Sequence, residues 1–282
     1  MSEKRILIME GNPRDRRERA AQMGVRSSSE IYAEAIRAHF ADIPIDILYG
    51  ADADANGLGN RQWGDYAGFV VGGSALHAYD RDYGVTNQIA LLWQAAEAGV
   101  PILGSCWGLQ IAVVAAGGEV THSPKGREVG IARKIMVHPE GHGHPMLRRR
   151  PPVFDAPCIH YDEVARLPNN ATVLASNAHS PVQAAIIPIG NSEVWGVQYH
   201  PEFDLRHLAD LYRLYAEDMV NQAFFADTVA LDRQEAAMRH LADHPDDAGV
   251  AWQLGVDDDI TNDAHRRAEI IAWIETKVCG GR

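Results

Sequence analysis

One cysteine and one histidine–glutamate pair stand out as residues whose types and spacing suit covalent chemistry. Gly104-Ser105-Cys106-Trp107-Gly108 places a thiol between two glycines. An apolar run, Val100 to Leu103, precedes it, and a small-residue helical pattern, Leu109 to Ala116, follows. A G-x-nucleophile-x-G sequence between a strand and a helix predicts a nucleophile elbow. Such a turn holds the nucleophile in a strained backbone conformation, and a Cβ at either flanking glycine would clash with the neighbouring strand or helix. The thiol then sits at a helix N-terminus, where the dipole favours thiolate. Taken alone, the segment also reads as a buried cysteine in a tight turn.

A cysteine nucleophile needs a base and a group that orients the base. Val197-Gln198-Tyr199-His200-Pro201-Glu202-Phe203 supplies both. In extended chain, residues two apart point to the same side, so Glu202 can hydrogen-bond to His200, with Pro201 stiffening the backbone between them. The carboxylate would fix the imidazole tautomer and stabilise its cation. Such a pair alone is more often structural; beside the cysteine elbow it reads as catalytic. The reaction also needs N–H donors aimed at a developing oxyanion. Gly72-Gly73, after the apolar run ending at Val71, offers them together with the N–H of Trp107; a simple β-turn is the other reading. No Walker or dinucleotide spacing supports a phosphate cradle.

These residues must be positioned by regular elements. Arg5 to Met9, Ile45 to Tyr49, Gly68 to Val71 and Val100 to Leu103 read as strands. Helical spacing covers Ser29 to Phe40, preceded by candidate serine caps, and Asn87 to Ala98, stopped by Gly99. The β-α-β-α rhythm predicts a mostly parallel sheet with helices on both faces. Residues from about Glu119 to Val197 are rich in Gly, Pro and β-branched types, which predicts hairpins and an antiparallel extension. Val194 to Tyr199 is a further strand. From Asp204 the pattern is helical again, with Leu205, Leu208, Leu211, Leu214 and Tyr215 on one face and further helices over Asp227 to Asp243 and Asp263 to Lys277. No repeat or low-complexity segment interrupts the chain.

The bulk properties fit a globular protein. The 282 residues are 46% hydrophobic and 23% charged, enough for a large core. A formal net charge of −12 disfavours nucleic-acid partners. Arg148-Arg149-Arg150, beside Pro151-Pro152, reads as a solvated loop. No segment has the apolar length of a membrane span, and Ile6-Leu7-Ile8-Met9 is too short for a signal-peptide core. Three scattered cysteines, Cys106, Cys158 and Cys279, do not make a disulfide framework and point to a reduced, cytoplasmic setting.

With these residues in view, the chain resembles the class I glutamine amidotransferase family. Phe69-Val70-Val71-Gly72-Gly73-Ser74 resembles the family's oxyanion strand. Gly104-Ser105-Cys106-Trp107-Gly108-Leu109-Gln110 resembles its G-x-C-x-G-x-Q motif, and Gly196-Val197-Gln198-Tyr199-His200-Pro201-Glu202-Phe203 its G-V-Q-[FY]-H-P-E block. The likeness spans roughly residues 5 to 225 and is nearest to the glutaminase domain of GMP synthetases, including Ile159 to Asp162 and Asn177 to Ala184. It implies a flavodoxin-like α/β fold for a catalytic domain over 1–205, and the helical pattern beyond it reads as a C-terminal extension over 206–282 packed on the sheet. It also implies a Cys106, His200, Glu202 triad, an oxyanion hole from Gly72, Gly73 and Trp107, and contact of Gln110 with bound glutamine. The backbone around His160 and Tyr161 would hold the substrate's α-amino and carboxylate end. Ser74 departs from the family's usual proline.

The expected reaction is cysteine-dependent hydrolysis of a γ-glutamyl amide through a thioester, without metal or organic cofactor. No nucleotide signature follows residue 203, which favours a free-standing hydrolase of γ-glutamyl amides or peptides. Likeness to GMP synthetase glutaminases favours an ammonia supply to a separate synthetase. A non-catalytic scaffold is a third reading, against which the intact triad speaks. A homodimer is permitted but not demanded. His138, His142 and His144 lie in a Gly- and Pro-rich stretch that reads as a mobile loop rather than a metal site.

Overall fold

The computed structural model describes residues 5–280. Its strands are β1 (Arg5–Glu10), β2 (Ile45–Tyr49), β3 (Tyr66–Val71), β4 (Ile102–Ser105), β5 (Glu119–His122), β6 (Glu128–Val137), β7 (Val153–His160), β8 (Asp162–Arg166), β9 (Thr172–Ser176), β10 (Ala184–Ile189) and β11 (Ser192–Val197). Among the described residues, nine of them form one sheet in the order β2-β1-β3-β4-β11-β10-β9-β6-β7. The ladders from β2 through β11 are parallel. Those from β11 through β7 are antiparallel, the extension that the Gly- and Pro-rich middle of the sequence predicts. β5 and β8 make a separate two-stranded ribbon.

The helices are α1 (Arg14–Gln22), α2 (Ser28–Arg37), α3 (Tyr83–Glu97), α4 (Trp107–Ala115), α5 (Pro139–His142), α6 (Leu205–Leu214), α7 (Ala216–Asn221), α8 (Thr228–Asp243), α9 (Ala248–Leu254), α10 (Asp258–Thr261), α11 (Asp263–Arg266) and α12 (Ala268–Trp273). Side-chain alternation along β1 divides the interior. Ile6 and Ile8 face a core shared with Tyr32 and Ile36 of α2 and Ile270 and Trp273 of α12. Leu7 and Met9 face the opposite core, with Leu92 of α3 and Leu109 of α4. Ser27 caps α2 in a reciprocal capping box with Glu30. Helix α1 has no expected counterpart because none of its side chains is buried, so it carries no apolar period.

The C-terminal helices share the main core. Trp273 and Ile274 are fully buried against the sheet. The helical structure expected over Asp263 to Lys277 is present as α11, α12 and a π-helical turn at Ile274–Val278. The solvated reading of the arginine run fails at Arg150. Its side chain is 1% exposed, with Nε donating to Glu269 Oε1 at 2.7 Å and Nη2 to Oε2 at 2.9 Å. Arg148 and Arg149 pair with Glu275. A buried carboxylate on α12 needs a cation and hydrogen bonds; Arg150 supplies the first, and Tyr199 Oη donates to the same Glu269 Oε1 at 2.8 Å. The tail is thereby tied to the residue beside His200.

The histidine-rich stretch is ordered by α5 and a 3₁₀ turn at Pro145–Leu147, where a mobile loop was expected. His138 Nε2 lies 2.7 Å from Ser176 Oγ, and His144 stands edge-on to Trp195. Among the described residues no group of three or more His, Cys, Asp or Glu side chains is placed to hold a metal. No described helix is long and apolar enough to cross a membrane.

Arg150→Ala leaves Glu269 charged and unpaired in the core. Urea unfolding should show a loss of about 3–5 kcal/mol. An unchanged midpoint would show that the pair does not anchor the tail.

Candidate active site

Cys106 sits between β4 and α4 with φ 51° and ψ −97°, a conformation that non-glycine residues adopt only when their surroundings impose it. The imposing contacts are specific. Its N–H donates to Val197 O on β11 at 2.7 Å, and its carbonyl accepts from Gln110 N at 3.0 Å. A Cβ on Gly108 would lie 2.3 Å from Val71 O, and one on Gly104 would lie 2.6 Å from the Gly108 carbonyl carbon. The turn is therefore packed backbone to backbone, which only glycine permits.

β11 delivers the second part. His200 Nδ1 lies 2.7 Å from Glu202 Oε1, both side chains at most 2% exposed. The carboxylate accepts, so Nδ1 carries the hydrogen. Ser105 Oγ donates to the same oxygen at 3.0 Å. The imidazole lies flat on Phe203, with centroids 3.9 Å apart and planes at 6°. On another side, a Cβ on Gly73 would come within 2.7 Å of His200 Cε1. These contacts leave the ring little freedom to turn. Its Nε2 is buried without a hydrogen-bond partner.

Burial opposes a charge on His200, but the Glu202 carboxylate and the Cys106 side chain outweigh it and raise the pKa from 6.5 to about 10. His207 shows the opposite balance. Burial, with the Arg26 charge nearby, lowers its pKa to about 3, so it stays neutral against the edge of Phe203.

Cys106, His200, Gly73, Gln110, His160 and Tyr161 all line one cleft of about 830 Å³, within the usual range for small-molecule sites. Gly72 does not; it is packed against Ser28 and Tyr32. Trp107 is the first residue of α4, so its N–H has no intrahelical acceptor, while its indole is buried and donates to Gln88 Oε1. Gln110 Nε2 donates to Asp162 O at 3.1 Å. The His160 ring points to Glu128 Oε2 at 2.9 Å and to Asp162 O, so its side chain is committed within the protein. Ile159 O lies 3.8 Å from Cys106 Sγ. Ser74 Oγ donates to Gly11 O at 2.9 Å, an anchor that a proline at this position would lack. Cys158 is buried and all three cysteines are unpaired.

Sequence reasoning missed three supports. Ser105 and Phe203 lay inside the motifs but carried no signal of their contacts. Glu10, buried at the end of β1, accepts from Ser29 N at 2.8 Å and Asn12 N at 3.0 Å, tying the loop after β1 to the first turn of α2.

A family model described as glutamine amidotransferase class-I matches residues 48–212, which include Cys106, His200 and Glu202. The chain belongs to this family. A γ-glutamyl-L-1-hydroxyisopropylamide hydrolase from a Pseudomonas species is 35% identical over 228 residues, 80% of this amidotransferase-family chain and 76% of that protein. A glutamine-hydrolysing GMP synthase from Chlorobium limicola is 34% identical over 149 residues, and the match spans only 27% of that protein. The fold resembles a glutamine amidotransferase from Thermotoga maritima, with a TM-score of 0.64 at 16% identity over 96% of this chain and 99% of that one. One from Methylobacillus flagellatus gives 0.59 at 19% identity, over 91% and 96%.

The His200 imidazole should stay protonated from neutral pH to about 10. Because its folded pKa lies above 6.5, its stabilising contribution is full below about pH 6.5 and fades as pH rises to about 10. Glu202→Gln leaves burial less opposed, so the pKa should fall. Nitrogen NMR of the imidazole reads both; titration of the parent protein near 6.5 would contradict the arrangement.

Proposed function

We propose that the protein hydrolyses γ-glutamyl amides, with Cys106 as nucleophile, His200 as acid and base, and Glu202 as the group that orients and charges the imidazole. The observation that carries this reading is the buried His200, held by Glu202 through Nδ1 while its Nε2 has no protein partner, in the same cleft as the elbow cysteine. The Cys106 thiolate attacks the γ-carbonyl carbon. The oxyanion rests on the N–H of Trp107 and on that of Gly73; Gly72, packed away from the cleft, takes no part. The C–N bond breaks as His200 Nε2 gives its proton to the departing nitrogen. Ammonia or an amine leaves, and a γ-glutamyl thioester remains on Cys106. Neutral His200 then takes a proton from water, whose oxygen attacks the thioester. The C–S bond breaks, thiolate and imidazolium are restored, and glutamate departs. Gln110 and the backbone at His160 and Tyr161 hold the α-end of the substrate in this reading.

The free-standing hydrolase is favoured because likeness to the Pseudomonas hydrolase runs across most of both chains. Residues 1–205 then carry the chemistry, and the helices of 206–282 build an outer wall, with Leu211, Leu214, Tyr215, Glu217 and Asp218 facing the cleft. An ammonia supply to a separate synthetase is the second reading, supported by the GMP synthase match. A free thiol nucleophile suits a reducing cytoplasm.

Glutamate release from glutamine and from γ-glutamyl alkylamides and peptides distinguishes the two. We expect substituted amides to be turned over faster than glutamine. Cys106→Ala should abolish turnover, and Glu202→Gln should lower kcat about 10²- to 10⁴-fold. Turnover of glutamine alone would support the ammonia-supply reading, and activity that survives Cys106→Ala would overturn both.

A further inference from the structure

Arg127 is the outlier among the cations of the cleft. It is 8% exposed and lines the same cavity as Cys106. Its Nε and Nη1 are fully buried without a hydrogen-bond partner, and among the described residues no carboxylate lies within ion-pair reach. Neighbouring arginines differ: Arg17 pairs with Asp52 and Arg26 with Glu34 and Asp204, while Arg16 and Arg19 are exposed to water. The Arg127 guanidinium is held between two rings, 3.9 Å from the Tyr161 centroid and 5.0 Å from that of Tyr215. Ring faces offset part of the cost of burial but satisfy none of its in-plane N–H donors. Burial lowers its pKa, with only Asp218 and the two tyrosines opposing. An unpaired buried cation is costly, and it persists where a ligand supplies the missing anion.

The position is fixed relative to Cys106. The next residue, Glu128, binds His160, Asn177 and Gln183. His160 follows Ile159, whose carbonyl faces Cys106 Sγ. Tyr161, beneath Arg127, is two residues beyond Ile159, in the bend between β7 and β8, and Arg127 and Tyr161 line the same cleft as Cys106. A γ-glutamyl group whose γ-carbonyl sits at Cys106 carries its α-carboxylate a few bonds further along that cleft. We infer that Arg127 is a substrate-binding residue that takes the α-carboxylate of the γ-glutamyl group, so that the enzyme selects γ-glutamyl compounds with a free α-acid. The inference rests on the γ-glutamyl amide reading above and names the side chain that enforces it. A planar fork matched to a carboxylate explains arginine here.

The test is binding, read by calorimetry on Cys106→Ala protein so that no turnover is needed. The probes are γ-glutamyl isopropylamide and its α-carboxamide counterpart, which differ only at the α-end. The acid form should bind about 10- to 100-fold more tightly. In Arg127→Gln the ratio should fall to near one, and Arg127→Lys should keep an intermediate ratio. Each ratio is taken within one preparation, so a partly misfolded variant does not change it; if Arg127→Gln does not fold, the lysine variant decides. Equal binding of the two probes, or a ratio unmoved by substitution, overturns the inference and leaves the hydrolase reading intact. No binding of either probe overturns both.

Discussion

A charged imidazole kept inside the protein is the constraint on which the rest of this site depends. Burial alone would drive His200 neutral, as it does His207 close by. The Glu202 carboxylate, held at hydrogen-bond distance, and the Cys106 side chain reverse the balance. Glu202 reaches the ring from a turn after β11, closed by Phe203 N–H donating to His200 O at 3.2 Å. That carboxylate is itself fully buried and takes a second hydrogen bond from Ser105, the residue before the nucleophile. One anion thus links the elbow strand to the strand that carries the base.

The same strand end is braced from the other face. Tyr199, between Gln198 and His200, reaches Glu269 on α12, and Arg150 completes that buried network. The chain past residue 205 therefore does two jobs. It packs Trp273 and Ile274 into the core, and its earlier helices form one wall of the cleft over Cys106. The strained backbone at Cys106 is tolerable because β11, β3 and α4 all close on it at backbone distance.

The parallel core and the cleft's central residues were legible because each rests on a short-range rule. Apolar runs gave β1, β3 and β4, and glycine spacing gave the elbow. The Glu202–His200 pair was expected from alternation in extended chain; it forms instead across a turn at Pro201-Glu202. What stayed hidden depends on contacts distant in sequence. Arg150 looked solvated because Glu269 lies 119 positions away. Arg127 carried no signal, since its character comes from missing partners rather than from a motif. Helix α1 has no buried side chain and so offered no apolar period to read.

The covalent step is the centre of the account. Protein mixed with a γ-glutamyl alkylamide, quenched in acid during turnover and digested, should yield the Cys106 peptide carrying a γ-glutamyl group in thioester linkage, sensitive to hydroxylamine. Cys158 and Cys279 should remain unmodified. Steady glutamate release with no adduct on Cys106, or with the adduct on another residue, would contradict it.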